Sequence, residues 1–280
     1  MHHPVLINEV IAHLNVKKGG LYIDATVGEG GYTDQILRLG GNVLAVDIDQ
    51  EQIDRVSENN ELRIRNEELK LIQGNFRDIE KISRENGFFP VNGIVFDLGL
   101  SMRQLKESGK GLSYKNINEF LDMRLDSDEE KTAADYLNTL SEQNLYDLFA
   151  KNSEEINSRA IAVSIVRCRA IRKIKSVGDL VRIIEKTIDE KDFGVLGRIF
   201  QALRIEVNRE FDNLGKGLEG ATKIIKKTGR ILVVTFHSLE DRIVKRFVKE
   251  RNLQFETKKP VTSKGEYKFE RSAKLRIITL

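Results

Sequence analysis

Tryptophan is absent from the 280 residues, cysteine occurs once, at Cys168, and proline three times, at Pro4, Pro90 and Pro260. A single thiol excludes a disulfide framework and a cysteine-based zinc site within the chain, and it suits a reducing compartment. Of four histidines, His2, His3 and His13 crowd the N-terminus without zinc spacing, leaving only His237 elsewhere, so no metal is expected. No apolar run reaches the roughly 18 residues of a membrane span, and Met1-His-His-Pro4 is not a basic segment leading into an apolar one. A cytoplasmic protein without a membrane partner is expected. Repeats, low-complexity tracts and proline-rich linkers are also missing. Apolar residues make up 40% of the chain, enough at this length for an ordinary core, which excludes global disorder.

The net charge of +3 conceals an uneven distribution. Residues 1–97 carry 10 basic and 16 acidic side chains, residues 98–197 carry 16 and 17, and residues 198–280 carry 20 and 10. The last third is therefore a candidate polyanion surface. A second cluster, Arg167, Arg169, Arg172, Lys173 and Lys175, puts five cations in nine residues. One such run reads as a solvated helix face; two beside a cofactor motif favour nucleic acid.

Four short apolar runs, at residues 20–25, 42–46, 69–72 and 93–96, alternate with helical stretches at about 32–39 and 50–60. That alternation predicts a parallel sheet built from crossover units. From about residue 104 to 197 no buried strand is visible and apolar residues fall at helical spacing, as in Ile156, Ala160, Ile161, Val163, Ile165 and Val166. Alternation then resumes with a helix over about 199–227, a strand over 230–236, a helix from Leu239 to about Arg251, and strands near 253–258 and 274–279. The predicted fold is α/β: a Rossmann-like sheet formed by residues 1–103 and 198–280, interrupted by a mostly helical insertion over 104–197.

In open parallel sheets, ligands bind beyond the carboxyl ends of the strands. Gly28, Gly30 and Gly31 follow the first strand and let backbone approach a ligand. Asp47 ends the second strand and is placed to accept from ribose hydroxyls. Phe76 follows the third and could flank an adenine face, and Asp97 ends the fourth, where it could meet the adenine amine or the reactive end of a cofactor. Thr33 stands where G-x-G-x-x-G needs its last glycine, which disfavours a nicotinamide cofactor and favours S-adenosylmethionine.

Seven stretches carry a resemblance: His3-Pro-Val-Leu6, Asp24-Ala-Thr-Val-Gly-Glu-Gly-Gly31, Asp97-Leu-Gly-Leu-Ser101 with Gln104, Leu121-Asp-Met-Arg124, Phe200-Gln-Ala-Leu-Arg-Ile-Glu-Val-Asn208, Phe236-His-Ser-Leu-Glu-Asp-Arg242 and Arg271-Ser-Ala-Lys-Leu-Arg276. Through them the chain resembles, over nearly its whole length, the bacterial methyltransferases that modify N4 of a cytosine in the decoding centre of small-subunit (16S) ribosomal RNA. It departs from that family at Tyr32, usually His, at Met102, usually Ser, and over Lys110-Gly-Leu-Ser-Tyr114, usually R-G-F-S-F. The resemblance implies a class I methyltransferase sheet with a helical RNA-recognition insertion. It implies S-adenosylmethionine held by Gly30, Gly31, Tyr32, Asp47, Phe76, Asp97 and Gln104, and a substrate presented within an assembled ribosomal particle. A homodimer is compatible with it.

Exocyclic amine methylation needs the nitrogen lone pair turned out of ring conjugation, which an acceptor for an amino hydrogen favours. Asp97, or the carbonyls of residues 98–100, stands where that acceptor belongs, and Ser101 is placed to bond the base. His237 reads either as a base-positioning group or as a local support of the helix start, where Ser238 and Asp241 have capping-box spacing. Asn208, Arg204 and Arg124 read through the resemblance as substrate contacts; the alternative is buried arginine pairing with Asp122 or Glu206. An extruded base stacks on aromatic planes, for which Tyr114, Phe236 and Tyr267 are candidates. Arg242, Arg271, Lys274 and Arg276 of the basic third would meet phosphates. A DNA amino-methyltransferase is disfavoured, because its Asp/Asn/Ser-Pro-Pro-Tyr/Phe motif is missing. A catalytically silent RNA-binding assembly factor with the same fold is the remaining alternative.

Overall fold

The computed structural model describes residues 4–126, 129–188, 192–263 and 271–280. His3 of the first matching stretch and the stacking candidate Tyr267 lie outside these. The chain divides into two compact units, Met1–Gly99 with Phe211–Leu280, and Leu100–Glu210. The opening segment runs α1 (Ile7–Leu14), β1 (Leu21–Asp24), α2 (Gly31–Arg38), β2 (Asn42–Asp47), α3 (Gln50–Asn59), α4 (Glu61–Arg65), β3 (Leu69–Gln73), α5 (Ile79–Glu85) and β4 (Val91–Asp97). The second unit holds α6 (Met102–Glu107), α7 (Ala133–Thr139), α8 (Glu142–Ser153), α9 (Ser158–Ile171), α10 (Val177–Ile188) and α11 (Phe193–Val207). After it come α12 (Glu210–Ile224), β5 (Ile225–Thr235), α13 (Ser238–Glu250), β6 (Gln254–Phe255), β7 (Val261–Thr262) and β8 (Lys274–Thr279).

The sheet order is β3-β2-β1-β4-β5-β8-β6, with β7 also paired to β8. β1 to β5 are parallel, and β8 runs antiparallel to β5. The order reverses between β1 and β4, where register pairs Asp24 with Val95 and a ligand crevice belongs. The central strands read as unbroken apolar runs because helices cover both faces. Val43, Val95 and Val234 pack with Val10, Ile36 and Val56 of α1, α2 and α3. On the opposite face Leu44, Phe96 and Val233 pack with Ile79, Leu218 and Val244 of α5, α12 and α13.

The helical unit buries Leu121, Met123, Leu145, Phe149, Ile165, Leu180 and Ile199 in its own core. Its boundaries fall at 99/100 and 210/211 rather than 103/104 and 197/198, because α11 buries Leu196, Ile199, Phe200 and Leu203 in that core. The single helix expected over 199–227 is two. Asn208 ends α11 and Arg209 takes a left-handed φ of 49°, a conformation that breaks a helix of L-residues.

Candidate active site

The site is assembled where β1, β2 and β4 end. Asp24 is fully buried; its Oδ2 accepts from Thr33 Oγ1 at 2.7 Å and its Oδ1 from the Thr26 amide at 3.4 Å. Asp47 accepts from the Gly28 amide and the Asp49 amide, each at 2.9 Å. Its carboxylate thus ties the glycine turn to the end of β2. The Asp97 amide donates to Thr26 Oγ1 at 2.7 Å, while Asp97 Oδ1 is buried with no hydrogen-bond partner.

The expected cofactor glycines have separate physical reasons. Gly30 caps α2 with φ 84°, a left-handed conformation costly for side-chain-bearing residues. A Cβ on Gly31 would lie 2.1 Å from Pro4 Cγ, so that glycine is required by the N-terminal segment packing over the turn. Tyr32 is buried and donates from its hydroxyl to the Val5 carbonyl at 2.6 Å. Phe76 meets Phe96 edge to face at 5.7 Å. Gly217 of α12 lets that ring approach, since a Cβ there would stand 2.8 Å from it.

Burial pushes all three carboxyls up, Asp24 and Asp47 to about 6 and Asp97 to about 7. For Asp97 the Asp24 and Glu240 charges add to burial, and the Tyr32 hydroxyl opposes them. Carboxyls that titrate near pH 4 when unfolded thus bind protons more tightly in the fold, so stability falls as pH rises from about 4 to 7. The ligand-free protein is expected to melt lower at pH 8 than at pH 6. Asp97→Asn should melt above wild type at pH 8, and the gap should close as pH falls toward about 4. Thermal scans across this range check the point, and parallel profiles for the two proteins would refute it.

At the end of β5, His237 rather than Ser238 caps α13: its Nδ1 accepts from the Glu240 amide at 3.4 Å, and Glu240 Oε2 accepts from the Phe236 and His237 amides at 2.7 and 3.3 Å. The capping box is therefore one residue earlier than the Ser238–Asp241 spacing suggests, because His237 remains extended. Its Nε2 lies 3.0 Å from Glu240 Oε1 without hydrogen-bond alignment, and is buried and unpartnered. The imidazole faces Phe211 at 6.0 Å between ring centres. Phe236 packs over Gly99, where a Cβ would come within 3.1 Å of the ring.

Other expected site residues are held by local partners. In the helical unit Ser101 and Gln104 form a reciprocal capping box at the start of α6, with distances of 3.0 and 3.1 Å. Arg124 grips Asp122 through Nε and Nη2 at 2.7 and 3.0 Å, and Arg204 grips Glu210 in the same two-pronged way. Asn208 accepts from the Leu125 amide at 2.8 Å and donates to the Met123 carbonyl at 2.9 Å. That bracing fixes Met123, whose φ is 62°, within the Leu121–Arg124 motif. In the sheet unit Arg242 and Arg271 are exposed and Lys274 is half-buried. Arg276, expected against phosphate, is instead buried and paired with Asp241 at 2.8 Å. Val5 and Thr26, which fall within matching stretches but have no role assigned there, hold Tyr32 and Asp97; neither carries a charge or periodicity that marks it.

Three buried carboxyls, one with an unsatisfied oxygen, beside a glycine turn suit a ligand that brings hydroxyl and amino donors together with positive charge. S-adenosylmethionine offers all three, and the residues present fit it. With the reversal between β1 and β4, fold and site define a Rossmann-like methyltransferase. The MraW methylase family model matches residues 1–279, and the chain belongs to that family. It is 40% identical over 250 residues to the ribosomal RNA small subunit methyltransferase H of Carboxydothermus hydrogenoformans, covering 88% of this chain and 79% of the relative. The Thermosipho africanus protein of the same name is 39% identical over 287 residues, covering 99% of this chain and 96% of the relative. Among the described residues no helix is long and apolar enough to cross a membrane.

Proposed function

We propose that the protein methylates N4 of a cytosine in the decoding centre of small-subunit (16S) ribosomal RNA, within an assembled particle in the cytoplasm, with S-adenosylmethionine as donor. The carrying observation is a pair of buried atoms without a hydrogen-bond partner, Asp97 Oδ1 and His237 Nε2, two of only three among the described residues, at the ends of the paired strands β4 and β5. Asp47 and the turn at Gly30 and Gly31 would hold the nucleoside of the cofactor, with Tyr32 and Phe76 completing its surroundings; the family resemblance alone adds Gln104. When bound, the cofactor supplies an electrophilic methyl group on a sulfonium.

Asp97 Oδ1 accepts a hydrogen from the exocyclic amine and turns the nitrogen lone pair out of conjugation. Transfer needs no prior deprotonation, because the product ammonium sheds its proton readily. With Nδ1 accepting from a backbone amide, His237 carries its proton on Nε2 and is a donor to the pyrimidine. Phe236 offers the base a stacking face; for Ser101 a contact with the base rests on the family resemblance. Asn208, Arg124 and Arg204 fix the loop that presents the substrate, while Arg242, Arg271 and Lys274 meet phosphates.

Incubation with methyl-labelled S-adenosylmethionine and small ribosomal subunits from a strain lacking the modification is expected to give N4-methylcytidine at one decoding-centre position, located by nuclease digestion and mass spectrometry. Cofactor binding without label would overturn the assignment in favour of a silent binding protein.

A further inference from the structure

Within the helical unit, α9, α10 and the turn between them enclose a groove of about 360 Å³, within the size range of small-ligand sites. Its rim carries Arg167, Arg172 and Lys173 from α9 and the turn, and Arg182 and Lys186 from α10. All five are exposed. Against them stands one lining carboxylate, Asp179, which is already engaged by the Lys175 and Ser176 amides and by Arg182. Among the described residues Arg167, Arg172, Lys173 and Lys186 form no ion pair.

An ordinary solvated helix face alternates its charges, as α13 does with Lys245 on Asp241 and Arg246 on Glu250. α10 instead sets Arg182 and Lys186 four residues apart on one face, a like-charge spacing that costs helix stability. Arg169, part of the same cluster in sequence, does not face the groove in this way: it closes the end of α7 by donating to the Leu137 and Leu140 carbonyls at 2.6 and 2.5 Å. The floor is apolar, with Ile174 and Ile183, and Ser164 and Thr187 add hydroxyls.

We propose that this groove is an accessory phosphodiester-binding site that grips a stretch of ribosomal RNA backbone. The guanidinium forks of Arg167 and Arg172 match phosphate oxygens in pairs, Lys173 and Lys186 add point charge, and the apolar floor accommodates ribose. The inference rests on the ribosomal RNA reading and adds to it a site for affinity that has no part in methyl transfer.

The test compares wild type with the combined variant Arg172→Gln, Lys173→Gln, Lys186→Gln. A control, Lys18→Gln, Lys151→Gln, Lys249→Gln, removes the same charge elsewhere. Binding to unmethylated small subunits and to protein-free 16S RNA is measured across a salt series. The groove variant is expected to bind both about 10- to 100-fold more weakly near 0.1 M salt, with the log–log salt slope reduced by about 2. Its cofactor affinity and its turnover at saturating subunits should match wild type, and the control should lose far less affinity. Equal binding by groove variant and wild type, with methylation intact, would overturn the groove and leave the ribosomal RNA reading standing. Weakened binding to subunits alone would assign the groove to an acidic ribosomal protein and overturn it equally. A wild type that neither binds nor methylates subunits would remove the underlying reading itself.

Discussion

Asp97→Ala is expected to lower kcat by about 10³-fold, the scale seen when one preorganised polar group is removed from a reacting centre. The fold should survive the change. Asp97 Oδ1 has no hydrogen-bond partner to lose, the backbone tie is from its amide to Thr26, the nearby Tyr32 hydroxyl keeps its bond to the Val5 carbonyl, and burial and the Asp24 charge make the ionised carboxyl costly in the wild type. The alanine variant should therefore melt at or above wild type at pH 8 while turning over far more slowly. If Asp97 accepts from the amine as proposed, the ionised form does so, and wild-type kcat/KM should rise between pH 6 and 8. Calorimetry of cofactor binding separates the two roles open to this residue. A large loss of affinity with normal turnover at saturating cofactor would restrict Asp97 to the cofactor, and near-normal turnover and affinity would end its role altogether.

The part of this site that sequence exposes most readily is the part built on strand ends. Asp24, Asp47 and Asp97 each terminate a continuous apolar run, so strand and chemistry are marked by the same abrupt change in polarity. What sequence hides is side-chain geometry across long separations. Pro4 over Gly31 and the Tyr32 bond to Val5 link segments about 27 residues apart, and no local pattern announces either. The helical boundary is shifted for a related reason: α11 and α12 are both helical, and only the packing of Ile199 and Leu203 with α8-side residues such as Phe149 shows to which core α11 belongs. Capping was legible in kind but not in register, since His237-x-x-Glu240 and Ser238-x-x-Asp241 overlap and only the extended backbone at His237 selects the first. Arginines are the least legible of all. Arg124 was open to pairing with Asp122, and does pair with it, but Arg204 takes Glu210 rather than Glu206.

Arg276 gives the other large expected effect, on stability. Its residue is 8% exposed, its Nε and Nη2 reach the two oxygens of Asp241 at 2.8 and 3.3 Å, and its guanidinium lies 5.0 Å from the centre of the Phe255 ring. Burial alone would push Asp241 up; the hydrogen bonds from Arg276 and Lys245 outweigh it and hold the carboxyl below its ordinary range. This pair joins α13 to β8, the strand that closes the sheet against β5. Arg276→Met should destabilise the protein by about 3 kcal/mol, because it leaves the buried Asp241 with only the half-exposed Lys245 as a charged partner. Replacing both partners, Arg276→Met with Asp241→Leu, should recover most of that loss, since no buried carboxylate is then left without its guanidinium. If Arg276 held phosphate instead, Arg276→Met would lower the salt slope for RNA by about 0.7 to 0.9 with little change in melting, and the double variant would bring no recovery. Denaturant titrations of the two variants, run beside RNA binding of Arg271→Gln as the exposed comparison, decide between an internal brace and an RNA contact.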